Sequence, residues 1–166
     1  MHRAIVLALT LLLSATTNGD PPPPCTDAAY RQFDFWAGKW RVTTPKGDFA
    51  GKNQITIDQA GCLLTEHWLG SQGGTGQSYN FYDVTTKNWR QVWVSPGVII
   101  DTVGGWEDGA MRMEGEISYQ SNATRAPFRA RWTPQPDDSV LQEFHQLNVE
   151  TDEWDTWFIG IYRREE

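Results

Sequence analysis

Residues 110–133 read AMRMEGEISYQSNATRAPFRARWT, and two stretches of this segment alternate strictly. Met111, Met113, Gly115 and Ile117 interleave with Arg112, Glu114 and Glu116, while Phe128, Ala130 and Trp132 interleave with Arg129 and Arg131. Successive side chains of a strand point to opposite faces, so period two gives each stretch one apolar row and one charged row. The alternation extends in both directions along the chain. Turn signals separate the runs: Pro45-Lys46-Gly47-Asp48, Gln59-Ala60-Gly61, Ser71 to Gly76, Thr85-Thr86-Lys87-Asn88, Pro96-Gly97, Glu107-Asp108-Gly109, Pro134 to Ser139 and Thr151-Asp152-Glu153. Between them the sequence predicts about ten strands, near residues 39–44, 49–58, 62–69, 77–84, 89–95, 98–104, 110–119, 125–133, 139–149 and 154–164. Short connections force consecutive strands to pair antiparallel, and so many twisted strands protect their edges by closing. The expected fold is therefore all-β, a single antiparallel up-and-down barrel over residues 28–166, with no second domain or internal repeat.

Upstream of the barrel lie three other kinds of sequence. His2 and Arg3 precede an apolar run from Ala4 to Leu13, broken only by Thr10, and small residues follow from Ser14 to Gly19. This is the pattern of an export signal cleaved near Gly19, and the run is short of the ~20 apolar residues of a membrane span. Residues 20–27 form a Pro-rich leader in which Pro21 to Pro24 is extended. Thr26 or Asp27 then caps a short helix from about Ala28 to Trp36, with Tyr30, Phe33 and Trp36 on one face. An exported chain meets an oxidising compartment, where Cys25 and Cys62, the only two cysteines, are expected to form one disulfide; two buried free thiols are the alternative.

Gly38-Lys39-Trp40 follows the short helix and opens the first strand. It resembles the G-x-W signature of the calycin superfamily, the lipocalins and their relatives, in which the Trp closes one end of the barrel. That resemblance implies a basic residue of the last strand packed on the Trp ring, a role open here to Arg163 or Arg164, of which Arg163 is taken as the candidate. A wider set of segments points the same way. Residues 33–40 (FDFWAGKW), 61–68 (GCLLTEHW), 79–83 (YNFYD), 89–94 (WRQVWV) and 160–164 (GIYRR) resemble a domain-of-unknown-function family of secreted bacterial lipocalin-like proteins. The similarity implies a calycin barrel from about residue 30 to the C-terminus and carries no catalytic residues across.

Composition narrows the function. Against 14 Lys+Arg stand 21 Asp+Glu, a net charge of −7, which suits no polyanion such as nucleic acid. No G-x-S-x-G elbow and no H-E-x-x-H helix occurs, and Gly73-Gly74-Thr75-Gly76 lacks the Lys and helix of a phosphate loop. No metal site is expected, because two isolated Cys with no His at ligand spacing do not make one.

The partner expected is a small apolar or amphipathic molecule held inside the barrel. Glu66 and His67 are adjacent and must face opposite sides of their strand. Glu66 facing inward with Leu64 and Trp68 would be a carboxyl in an apolar cavity, able to act as acid, base or ligand anchor. The structural alternative ties Glu66 to Arg129 or Arg131 across the barrel. Asn80 and Tyr82 share a face with Ser78, and Gln91 shares one with Trp93; such rows combine an apolar wall with a few polar points. Arg131, with Arg129, is a candidate clamp for an acidic head group, or else part of a solvated outer face.

His145 is a candidate ligand for haem, as in the nitrobindins, although the sequence after Trp40 lacks their extended glycine pattern. Three functions compete: a binding barrel without a cofactor, an enzyme using Glu66 or His145 for acid/base or isomerisation chemistry, and a barrel plugged by its own aromatic side chains. The volume left by the inward-facing Trp and Tyr residues separates them.

Overall fold

The structure, a computed structural model, describes residues 24–165. The export signal and the first half of the Pro-rich leader, residues 20–23, lie outside the described residues. Ten strands follow one another: β1 (Gly38–Thr43), β2 (Phe49–Asp58), β3 (Leu63–Gly70), β4 (Thr75–Asp83), β5 (Asn88–Ser95), β6 (Val98–Glu107), β7 (Ala110–Tyr119), β8 (Thr124–Pro134), β9 (Val140–Asn148) and β10 (Glu153–Arg164). Each pairs antiparallel with its sequence neighbour, and β1 pairs with β10, so the sheet closes as the up-and-down barrel expected. Closure leaves no edge strand to template aggregation.

Alternation fixes which side chains enter the barrel. On β7 and β8 the apolar row of Met111, Met113, Ile117, Phe128, Ala130 and Trp132 is buried, and the charged row lies outside. There Arg129 pairs with Glu114 at 2.9 Å and Arg90 with Asp101 at 2.6 Å. Such exposed pairs contribute at most ~1 kcal/mol each. Their effect is to keep the outer face polar while burial of the inner row stabilises the fold.

One end is closed by aromatic packing. The expected helix over 28–36 is instead two 3₁₀ segments, Ala28–Arg31 and Asp34–Trp36. Asp27 holds the N-cap position but makes no side-chain capping bond. The physical reason for the tighter winding lies in Phe33 and Trp36, both fully buried and stacked with centroids 5.0 Å apart. Three residues per turn bring positions i and i+3 into line, so both rings drop into the barrel together. They meet Trp132 and, through Phe33, Trp89, while the Trp40 indole donates to the Trp36 carbonyl at 2.8 Å.

The cation over Trp40 is Arg164, with its guanidinium carbon 4.2 Å from the ring centroid; Arg163 does not fill this role. Arg164 is in phase with Tyr162 and Gly160, whose backbone positions face inward, whereas Arg163 points away beside Arg41. Arg164 also donates to the carbonyls of Ala37 at 2.8 Å and Phe35 at 3.3 Å. Gly38 makes room for it. A Cβ there would collide with the Arg164 guanidinium, and its φ of +138° is one that L side chains rarely adopt.

Cys25 and Cys62 form the expected disulfide, tying the segment before the first 3₁₀ turn to the start of β3. The bond suits a non-cytoplasmic environment. Among the described residues no helix is long and apolar enough to cross a membrane.

Candidate functional site

The interior divides into a filled half and a cup. Near the 3₁₀ turns the barrel is packed solid by Phe33, Trp36, Trp40, Trp89 and Trp132, all essentially without solvent exposure. Toward the other end remains a cavity of about 120 Å³, lined by Glu66, Trp68, Trp93, Gln142, Phe144, Trp157, Phe158 and Tyr162. Glu66, Gln142 and Tyr162 are 3%, 4% and 1% exposed and form its floor, while Trp157, 40% exposed, stands at the rim. The barrel is thus neither plugged throughout nor an open calyx.

Local strand geometry explains the cup. On β3 Leu64 and Glu66 are buried and His67 is exposed, as adjacent residues of a strand must be. Trp93 lies across β4 because position 76 is glycine: a Cβ there would overlap the indole. Trp68 lies over Gly51 for the same reason, since a Cβ would meet its ring at 2.7 Å. On β10 a register shift between Thr156 and Phe158 inserts Trp157, so Trp157 and Phe158 both border the cavity. The Trp157 indole is held by donation to the Tyr119 hydroxyl at 3.2 Å, and Tyr119 in turn donates to Gln146 at 2.5 Å.

Beneath the cup runs a directed chain of hydrogen bonds. Gln91 Nε2 donates to Asn80 Oδ1 at 2.7 Å, and Asn80 Nδ2 donates to Ser78 Oγ at 2.8 Å and to the Leu64 carbonyl at 3.1 Å. Having accepted from Asn80, Ser78 directs its own hydrogen to Glu66 Oε2 at 2.5 Å. From the other side Asn53 Nδ2 donates to Glu66 Oε1 at 2.6 Å and to the Tyr162 hydroxyl at 3.3 Å. The chain from Gln91 through Asn80 and Ser78, and the bond from Asn53, thus end on one carboxylate.

Burial nevertheless dominates, pushing the Glu66 carboxyl up to about 7 against the lowering effect of the Ser78 and Asn53 bonds. Burial, reinforced by the Glu66 charge, also raises the Tyr162 phenol well above its usual value, so it stays neutral. Two polar atoms of the lining have no protein partner: Gln142 Oε1 and Trp93 Nε1. Buried polar groups are ordinarily hydrogen-bonded, so these two unpaired atoms on lining side chains are candidate partners for a ligand.

The sequence candidates separate accordingly. Glu66, Trp68 and Trp93 come together around the cavity. Asn80 and Gln91 are buried behind Glu66 and act through the chain, outside the lining. Tyr82 is at the closed end, edge-on to Tyr30 at 5.2 Å, and takes no part. Arg131 and His145 lie on the outer wall, because the inward phases of β8 and β9 belong to Ala130, Trp132, Gln142 and Phe144. Arg131 pairs there with Glu143 at 4.0 Å, so it clamps nothing inside, and neither it nor Arg129 reaches Glu66. His145 likewise has no access to the interior, which removes it as a ligand for haem within the barrel and as an acid or base in the cavity. Among the described residues no three His, Cys, Asp or Glu side chains are grouped as a metal site.

Sequence reasoning missed Asn53, Gln142, Phe144, Trp157, Phe158 and Tyr162. Gln142 had a legible signal, a polar residue in phase with Val140 and Phe144. Trp157-Phe158, two large aromatics in succession, marked the bulge. No protein-family model matches the chain, and no curated protein matches its sequence.

Proposed function

We propose that this chain is an exported binding barrel of calycin type that holds one compact amphipathic molecule in the cup above Glu66. The observation that carries this reading is a single buried carboxyl at the floor of an aromatic cavity of about 120 Å³, in a barrel otherwise filled by its own side chains. An apolar wall with a few placed polar groups is the usual composition of a small-molecule site. The volume is below the roughly 300–1,000 Å³ of pockets for drug-sized ligands, which favours a ligand of about one ring over a lipid chain or haem. The Gly38-Lys39-Trp40 motif under Arg164 supports calycin kinship, and the Cys25–Cys62 disulfide supports export.

A carboxyl near pH 7 also suits acid/base catalysis, which keeps the enzyme reading in second place. Its weakness is the partner group. The other ionisable group in the lining is Tyr162, held neutral by burial, and a proton shuttle between two tuned groups has no second member there. Native mass spectrometry of protein isolated gently from its own host tests the binding reading. The expected spectrum shows one small molecule per chain, released on denaturation. A bare mass in every preparation, together with tryptophan fluorescence indifferent to small aromatic compounds, would overturn it.

A further inference from the structure

We infer that the ligand of this cup is a small organic cation, a primary or secondary ammonium on a ring-sized hydrocarbon, with its N–H groups bonded to Glu66 and Gln142 Oε1. This rests on the binding reading above and specifies the chemistry of the same site.

Four observations carry it. The lining contains no Lys or Arg, so an anionic ligand would face the Glu66 carboxylate with no counter-charge. Two donors are bonded to Glu66 already: Asn53 and Ser78 each give a hydrogen to one carboxylate oxygen, and Asn80 fixes the direction of Ser78. The carboxylate's remaining lone pairs accept, and so does the unpartnered Gln142 Oε1, an atom of a side chain 4% exposed. With the Glu66 carboxylate the one charged group of the lining, a ligand that donates to it and carries the opposite charge is favoured. Lastly, Trp68, Trp93, Trp157, Phe144 and Phe158 surround the space, and aromatic faces attract a cation through their ring quadrupoles. Trp93 Nε1, an unpaired donor, adds a contact for an oxygen on the ligand body.

The pH dependence has a definite sign. The groups facing Glu66 from the neighbouring strands are Asn53, Ser78, Gln142 and Tyr162, of which Tyr162 alone titrates, far above neutrality. An ammonium selects the ionised Glu66, so binding releases a proton below about pH 7 and tightens as pH rises through that value. A neutral carbonyl or ether ligand, held by the protonated carboxyl, would behave in the opposite way.

Calorimetry and tryptophan fluorescence with three probes of similar size, benzylamine, anisole and benzoate, test the inference. Expected are binding of benzylamine over anisole, no binding of benzoate, and tighter benzylamine binding at pH 8 than at pH 5.5. E66Q should weaken benzylamine by about 10- to 100-fold, the worth of a hydrogen bond to a charged group, and leave anisole unchanged. Q142L, which keeps Glu66 and its donors, should also weaken benzylamine selectively and serves if E66Q folds poorly. Anisole equal to benzylamine, or benzylamine tighter at pH 5.5, overturns the cation and leaves the binding cup standing. Binding of benzoate overturns it as well. If none of the three binds, the binding reading falls with it.

Discussion

Replacing Glu66 by glutamine keeps the shape of the side chain and removes its titration, and the consequence for stability is calculable. The carboxyl ionises near 7 in the folded protein and near its ordinary value of 4.5 in an exposed chain. The folded state therefore holds the proton more tightly. The stabilisation from this group is full below about pH 4.5, declines as pH rises, and is lost once the pH has passed 7. At 1.36 kcal/mol per tenfold change in proton affinity, the difference comes to about 3 kcal/mol between pH 4.5 and pH 8. In the native protein a buried carboxylate above pH 7 is compensated only by the hydrogens of Ser78 and Asn53. Urea unfolding of the wild type and E66Q at pH 4.5, 6, 7 and 8 measures the effect. The wild type should lose about 3 kcal/mol more than E66Q across this range, equivalent to about 10 °C in Tm for a chain of this size. The difference between the two proteins removes the contribution of surface carboxylates, which both share. Parallel curves for wild type and E66Q would refute the claim that burial controls Glu66.

Three further outcomes follow from the packing. R164A should destabilise the barrel by about 1–2 kcal/mol in urea unfolding, losing the cation over Trp40 and the bonds to Ala37 and Phe35, whereas R163A should be near neutral. Removing the Cys25–Cys62 bond as C25S/C62S releases a loop with a sequence separation of 37, and loop entropy predicts a loss of about 4 kcal/mol in the oxidised comparison. G76A places a Cβ inside the Trp93 indole, so Trp93 must swing into the cup; stability should fall by about 1–3 kcal/mol, with a changed tryptophan emission spectrum and weaker binding of small aromatics.

Strand alternation made the fold legible from the sequence. Period two in residues 111–117 and 128–132, with turn residues at regular intervals, left little besides a closed antiparallel barrel, and the ten strands lie close to where the pattern put them. The same alternation placed Glu66 and His67 on opposite faces. It did not decide which phase faced in at the ends of strands, where Arg163 and Arg164 compete for one ring. The short helix over 28–36 is present with 3₁₀ winding, because face-sharing by Phe33 and Trp36 satisfies both α and 3₁₀ spacing, and stacking inside a narrow barrel mouth selects the tighter form.

The site was half legible. Glu66, Trp68 and Trp93 carry local signals, a charge or a large ring in an inward row. Gln142, Tyr162 and Asn53 join them only when β2, β9 and β10 close the barrel across long separations in sequence. Arg131 and His145 attracted attention for their chemistry, yet strand phase places both on the outer wall.

The most direct measurement of the central claim is a crystal structure of the protein grown with benzylamine at pH 8. Expected is one planar ring among Trp68, Trp93 and Trp157, with the amine nitrogen within hydrogen-bond distance of Glu66 and Gln142. An unchanged, ligand-free cup at a saturating concentration of the amine would contradict it.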